Sequence, residues 1–236
     1  MTFTVVARNE KDGKLGIALC TNPITVGNRC PFIRANVGAV STQANTDPSL
    51  GPLAIELLSM GHSPKKVIHE LAETDADFEY RQIGIVDRHG RVAVHTGKEN
   101  VTPCGAISGP NYIVMGNYLS NNDVVPKMNQ AWLDSAGKLF EDRLFLTLKA
   151  GRDAGGDAGG HRSASILTYD TEPFPSTDLR IDFVPKTDTG PDAIDQLGVL
   201  LERWRPLMPY YKEKPHIPTM ANWQDWLKAR GTPFQD

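Results

Sequence analysis

Cysteine is scarce in this chain of 236 residues: only Cys20, Cys30 and Cys104. An odd number at these spacings fits neither a disulfide framework nor a zinc motif, so all three are expected as core or near-surface thiols. A reducing, cytoplasmic setting is the simplest expectation. No apolar run approaches the roughly 20 residues that a membrane-spanning helix needs, so no membrane partner is expected. No charged segment followed by an apolar one opens the chain, so no secretory leader is expected. Charge of one sign is lacking too: 25 lysines and arginines face 28 acids, for a net charge of -3. Without a dense basic stripe, nucleic acid is not an expected partner. No dense cluster of His, Asp, Glu and Cys points to a metal. The glycines at 155 and 156 are not followed by the Gly-Lys-Ser/Thr of a phosphate-binding loop. Neither metal nor cofactor is expected.

What remains is an ordinary globular composition, 40% apolar and 22% charged. The length suits one large domain, with or without a small appendage, and needs no disulfide or metal staple. Thr2–Arg8 (TFTVVAR) is rich in β-branched residues and predicts a strand. Asp12-Gly13 then predicts a hairpin turn into a return strand over Leu15–Cys20. A further strand is predicted over Val37–Ala44.

Two helices should follow. One starts at Asp47-Pro48 and carries Leu50, Leu53, Ala54, Leu57 and Leu58 on one face; Gly61 ends it. The next starts at Ser63-Pro64 and carries Val67, Ile68 and Leu71. Period-two patterning returns in Gln82–Asp87, Val92–Thr96 and Asn111–Met115. Helices are predicted over 123–133 and 139–150, strands over 164–169 and 179–184, and a helix over 193–204. A proline-rich stretch from Pro206 to Pro218 and a short helix over 223–228 close the chain.

Helices thus come in pairs between groups of strands, which argues against a doubly wound parallel sheet. Hairpin-linked strands imply antiparallel pairing. Two antiparallel sheets stacked face to face, each covered outside by a helix pair, bury every apolar face. The expected class is α+β, a four-layer αββα sandwich.

A strand that begins at residue 2 has a chemical consequence in such a fold. Methionine before threonine is normally trimmed, which leaves Thr2 with a free α-amine of pKa near ~7.7–8.0. That amine can serve as general base for the threonine's own hydroxyl. Thr2 is therefore the leading candidate nucleophile. Gln43 and Asn45 fall on one face by alternation and either hold a substrate carboxyl or amide, donate to an oxyanion, or tie down the next loop. Arg81 either binds a substrate carboxylate or forms a structural ion pair. His95 is either an acid/base group or a structural histidine. Asn117 either serves the oxyanion or pins a loop. Asp157 either orients the N-terminal amine or pins the glycine-rich loop.

Six segments taken together, TFTVVAR, VGAVSTQANT, DPSLGPLAIELL, YRQIGIVDRHGRVAVHTG, GNYL and AGGDAGGHRSA, resemble the bacterial family catalogued as domain of unknown function 1028. The match runs in order over about residues 2–205. The resemblance implies the N-terminal nucleophile (Ntn) hydrolase-like fold for a domain of residues 1–205, with 206–236 as a C-terminal extension. It also suggests an amide-bond hydrolase. Some relatives carry an added peptidoglycan-binding module, for which the chain after residue 205 is too short. The sequence departs from the family pattern in three places. Asn9 stands where an aspartate is usual. The loop around Gly159 and Arg162 lacks the usual arginine and glutamine. Thr21–Arg29 lacks the expected aromatics.

The leading expectation is an amidohydrolase for a small amide, ureido or peptide-like metabolite. The alternatives are a non-catalytic binding or assembly protein, or a hydrolase using His95, Asp157 or a metal instead of Thr2. A small-molecule substrate is the expected partner. A homodimer is expected because Trp204, Trp223 and Trp226 in the tail offer surfaces that can pair.

Overall fold

The computed structural model describes residues 1–186 and 190–232. The β-branched start forms β1 (Thr2–Arg8), which turns back into β2 (Leu15–Thr21). Gly13 supplies the turn's left-handed conformation at φ +79°. Next come β3 (Pro31–Arg34), β4 (Gly38–Ala44), α1 (Leu50–Ser59) and α2 (Pro64–Thr74). Four strands follow: β5 (Arg81–Asp87), β6 (Val92–Thr96), β7 (Gly105–Gly109) and β8 (Tyr112–Asn117). Then come α3 (Val124–Asp134), α4 (Phe140–Asp153), β9 (Ser163–Tyr169), β10 (Thr177–Ile181) and α5 (Ala193–Trp204). The tail adds α6 (Met208–Glu213) and α7 (Trp223–Ala229).

The strands form two sheets, ordered β10-β9-β2-β1-β8-β7 and β3-β4-β5-β6, and every pairing is antiparallel. Helices α1 and α2 bury Ala54, Leu58, Val67 and Leu71 against Val40, Ile83 and Ile85 of the smaller sheet. Helices α3, α4 and α5 bury Met128, Leu144, Leu148 and Leu197 against Phe3 and Val5 of the larger one. Between the sheets lie Val6, Ile17, Leu19, Ala39, Val86, Ile113 and Met115. Each Val, Leu, Ile or Met among them, fully buried, contributes about 1.5–3 kcal/mol relative to exposure. A Cβ at Gly84 would lie 3.0 Å from Met115 Sδ, so glycine there lets the sheets approach. This is a four-layer αββα sandwich of two antiparallel sheets.

Several predicted boundaries move. The first helix begins at Leu50, not Pro48, because Asp47 instead accepts hydrogen bonds from the Ser49 amide (2.9 Å) and hydroxyl (2.7 Å) in the preceding turn. Strands β3 and β7 were not predicted. The strand expected over 179–184 runs from Thr177 to Ile181, and the larger sheet carries three helices rather than a pair. In the tail, Tyr210, Trp226 and Leu227 form a small cluster of their own. Residues 233–236 of the predicted extension lie outside the described residues. Among the described residues no helix is long and apolar enough to cross a membrane.

Candidate active site

Alternation along β1 decides where Thr2 points. Phe3 and Val5 face the outer helices while Val6 faces the other sheet, so Thr2 and Thr4 face the inter-sheet layer. Thr2 lies opposite Asn117 in the β1–β8 ladder, and Gln43 lies opposite Gln82 in the β4–β5 ladder. Thr21 ends β2 beside them. Five strands thus bring polar residues to one end of a layer that is otherwise apolar. There the sheets part around a cleft of about 500 Å³, whose lining includes Thr2, Thr21, Gln43, Asn45, Asn100 and Asn117.

The side chains on its floor are buried; Thr2 is only 5% exposed. Thr2 Oγ1 lies 3.2 Å from Thr21 Oγ1, and both hydroxyls donate to the Met1 carbonyl. The Met1 α-amine donates to Asn117 Oδ1. Thr4 donates to Gln43 Oε1 at 2.6 Å, and Gln43 Nε2 donates to Gln82 Oε1 at 2.6 Å and to the Thr2 carbonyl at 3.4 Å. Buried amides are costly when unpaired, so a network of this kind holds one geometry.

Asp157 lies near Thr21, outside the cleft lining. Its carboxylate accepts from the backbone amides of Asn22 (2.9 Å) and Gly159 (2.7 Å), and lies 3.5 Å from the Thr21 hydroxyl oxygen. Burial pushes the Asp157 carboxyl up, against the pull of those two amides and of the nearby N-terminus. Burial lowers the α-amine below its ordinary range, and the Asp157 charge works in the opposite sense. Burial drives the Cys30 thiol at the cleft wall up to about 12, which removes thiolate chemistry at neutral pH. Cys20 is buried and Cys104 half-buried, and all three thiols are free. Among the described residues no group of three His, Cys, Asp or Glu side chains is placed to hold a metal ion.

The predicted site residues divide into two sets. Thr2, Gln43, Asn117 and Asp157 meet around the chain's first residues. Asn45 joins them at the rim: Ala44 turns left-handed at φ +74° and ends the strand, so Asn45 stands exposed in the cleft lining. Arg81 and His95 lie elsewhere. Arg81 forms an ion pair with Asp75 (2.8 Å) and donates to the Asn45 carbonyl. His95 is paired with Ile83, on the helix-facing side of its sheet; it stacks on Phe78 at 4.1 Å and bonds the Phe78 carbonyl at 3.1 Å. Polar residues of the network that were not singled out from the sequence include Thr4, Thr21 and Gln82. Their signal was a polar side chain at or near the end of an apolar strand, which alone does not separate a site from a solvated strand end.

No curated protein is detectably similar to the chain. A crystal structure of a protein from Silicibacter pomeroyi, assigned to DUF1028, is 28% identical, with 95% of this chain and 92% of that one covered and a TM-score of 0.75. Two more distant structures are Thiobacillus denitrificans BPH in complex with epoxomicin and Anbu (ancestral β-subunit) from Yersinia bercovieri. The first is 16% identical, covering 73% of this chain and 100% of that one; the second is 10% identical, covering 89% and 96%; both have a TM-score of 0.42. The family model described as "Family of unknown function (DUF1028)" matches residues 2–189, and the chain belongs to that family.

Proposed function

We propose that the protein hydrolyses the C–N bond of a small amide, ureido or peptide-like metabolite, with Thr2 as nucleophile once Met1 has been removed. Removal of Met1 passes the free amine to Thr2 and clears the Met1 carbonyl from the two hydroxyls it occupies. The amine then takes the proton from Thr2 Oγ as that oxygen forms a bond to the substrate carbonyl carbon. The tetrahedral oxyanion is met by the Thr21 hydroxyl and, from the rim, by the Asn45 amide. As the C–N bond breaks, the ammonium returns its proton to the leaving nitrogen. Water, deprotonated by the same amine, cleaves the acyl ester, releases the carboxylic acid and restores Thr2.

One observation carries this reading: a buried threonine hydroxyl lies at the floor of a cleft, one residue from the chain's amino end and near the buried Asp157 carboxylate. Burial lowers the Met1 amine; Thr2 is itself buried, so its freed amine meets the same desolvation, which favours the neutral, basic form near pH 7. Asp157 offsets part of that effect and pins its own loop through the Asn22 and Gly159 amides. His95 has no role in this scheme, and Arg81 enters it only by holding the Asn45 backbone through its carbonyl.

The test is a turnover assay of the trimmed protein against a panel of amides, ureas and cyclic imides. A substrate is expected among them, and Thr2→Ala is expected to lower its turnover on the order of 10³-fold or more, with folding intact. Full turnover by Thr2→Ala contradicts the proposal.

A further inference from the structure

The amides on the cleft floor point in a consistent direction, and that direction has one origin. Gln82 is fully buried. Its Nε2 lies 3.2 Å from the Gly105 carbonyl and 3.0 Å from the Gly116 carbonyl, and also 3.0 Å from Thr96 Oγ1. Backbone carbonyls only accept, so this end of the Gln82 side chain must be the NH₂ group. Its other end, Oε1, must then accept. It does so twice, from Gln43 Nε2 at 2.6 Å and from Asn117 Nδ2 at 3.0 Å. With its NH₂ group committed there, Asn117 has only its carbonyl oxygen left for the chain's amino end. Gln43 is likewise left with its carbonyl for Thr4.

We infer that Gln82 is a positioning residue that sets the polarity of the site: through it, two backbone carbonyls oblige Asn117 to turn its side-chain oxygen, an acceptor, toward the chain's amino end, where it meets the Met1 amine. This deepens the proposed function, on which its catalytic meaning rests. It leaves Asn117 an acceptor toward the amino end, with its NH₂ group committed to Gln82, and takes it out of the oxyanion hole. It also explains why a glutamine, with a donor and an acceptor at fixed spacing, stands where β5 enters an otherwise apolar run. Leucine or methionine of similar length would bury well but transmit no direction.

The inference is tested on the α-amine itself, so no substrate is needed. The rate at which an acylating reagent labels residue 1 is followed against pH by peptide mass spectrometry, and its midpoint reports the amine's ionisation. An acceptor favours the charged amine. Gln82→Met frees the Asn117 amide to turn, and is expected to lower the midpoint by about one pH unit. Gln82→Glu keeps an acceptor toward Asn117. Facing two carbonyls in a buried position it stays protonated, so its midpoint should match the parent. Thr96→Val removes a partner of Gln82 but leaves both backbone carbonyls, and should also leave the midpoint in place. An unchanged midpoint in Gln82→Met, or an equal shift in Thr96→Val, overturns the inference.

A measurement on the parent protein covers the case in which Gln82→Met does not fold. The NH₂ groups of Gln43 and Asn117 converge on one oxygen, so their protons should show mutual nuclear Overhauser effects and slow exchange with water. Fast exchange of the Asn117 NH₂ protons overturns the inference. A preparation that keeps Met1 defeats the Thr2 mechanism in that sample, yet both measurements can still be made on it. The two failures are therefore distinguishable.

Discussion

The middle of the inter-sheet layer and its open end are built by the same strands and hold opposite chemistry. In the middle, β1, β2 and β8 present Val6, Ile17, Leu19, Ile113 and Met115 to Ala39 and Val86 of the facing sheet. At the end, the same strands present Thr2, Thr4, Thr21 and Asn117 to Gln43 and Gln82. Both regions are buried. The first is held by non-directional apolar contact, which tolerates side chains of similar volume. The second is held by hydrogen bonds with fixed donors and acceptors, which tolerate few substitutes. Position along the strand, not exposure, separates scaffold from site.

The sharpest way to break the scaffold half is Met115→Ala. It removes a fully buried side chain packed over Gly84 and should cost about 2–5 kcal/mol in denaturant unfolding. Its effect on the pH dependence of amine labelling should be small. A large shift in that profile would mean that the two halves are not separable.

Asp157→Asn probes the polar half. The Asp157 charge raises the α-amine and burial lowers it, so removing the charge should move the amine's midpoint further down. In the trimmed protein, the proposed turnover should then begin its rise at lower pH than in the parent. An unmoved profile would leave Asp157 with loop pinning alone, through its bonds to Asn22 and Gly159.

The smallest effect belongs to Asp75→Asn, outside both regions. The Arg81 guanidinium beside Asp75 holds its carboxyl below the usual range. A carboxyl depressed on folding stabilises the protein above its unfolded pKa, and that contribution is lost as pH falls through the folded one. The variant should therefore be less stable than the parent by about 1 kcal/mol at pH 7. The gap should close once acid protonates Asp75 in the parent. A strong loss of turnover would instead return Arg81 to the site.

Much of this was legible in the sequence where local physics is strong. TFTVVAR, QIGIVD and the Asp12-Gly13 turn carry their strand and hairpin signals openly, and the paired helices mark the layered class. Strand β3 was not legible because Pro31 and Arg34 frame only two apolar residues. Strand β7 (GAISG) begins and ends in glycine at a sheet edge, where little patterning is required. At the site, Thr2, Gln43, Asn45, Asn117 and Asp157 could be singled out by their places at strand ends and in a glycine-rich loop. Gln82 could not, because its meaning lies in partners more than 30 residues away on either side. Arg81 and His95 looked equally eligible on the line. Only register shows His95 sharing a face with Ile83, on the side of the helices, and Arg81 turned to Asp75.

The central claim is that Thr2, with its own amine, is the nucleophile. Mass spectrometry of the protein after exposure to a β-lactone, which acylates nucleophilic hydroxyls, tests it most directly and needs no substrate. The account predicts a chain that starts at Thr2, gains one probe mass on the peptide containing that residue, and loses the adduct in Thr2→Ala. A chain that keeps Met1, or an adduct that persists in Thr2→Ala, would contradict it.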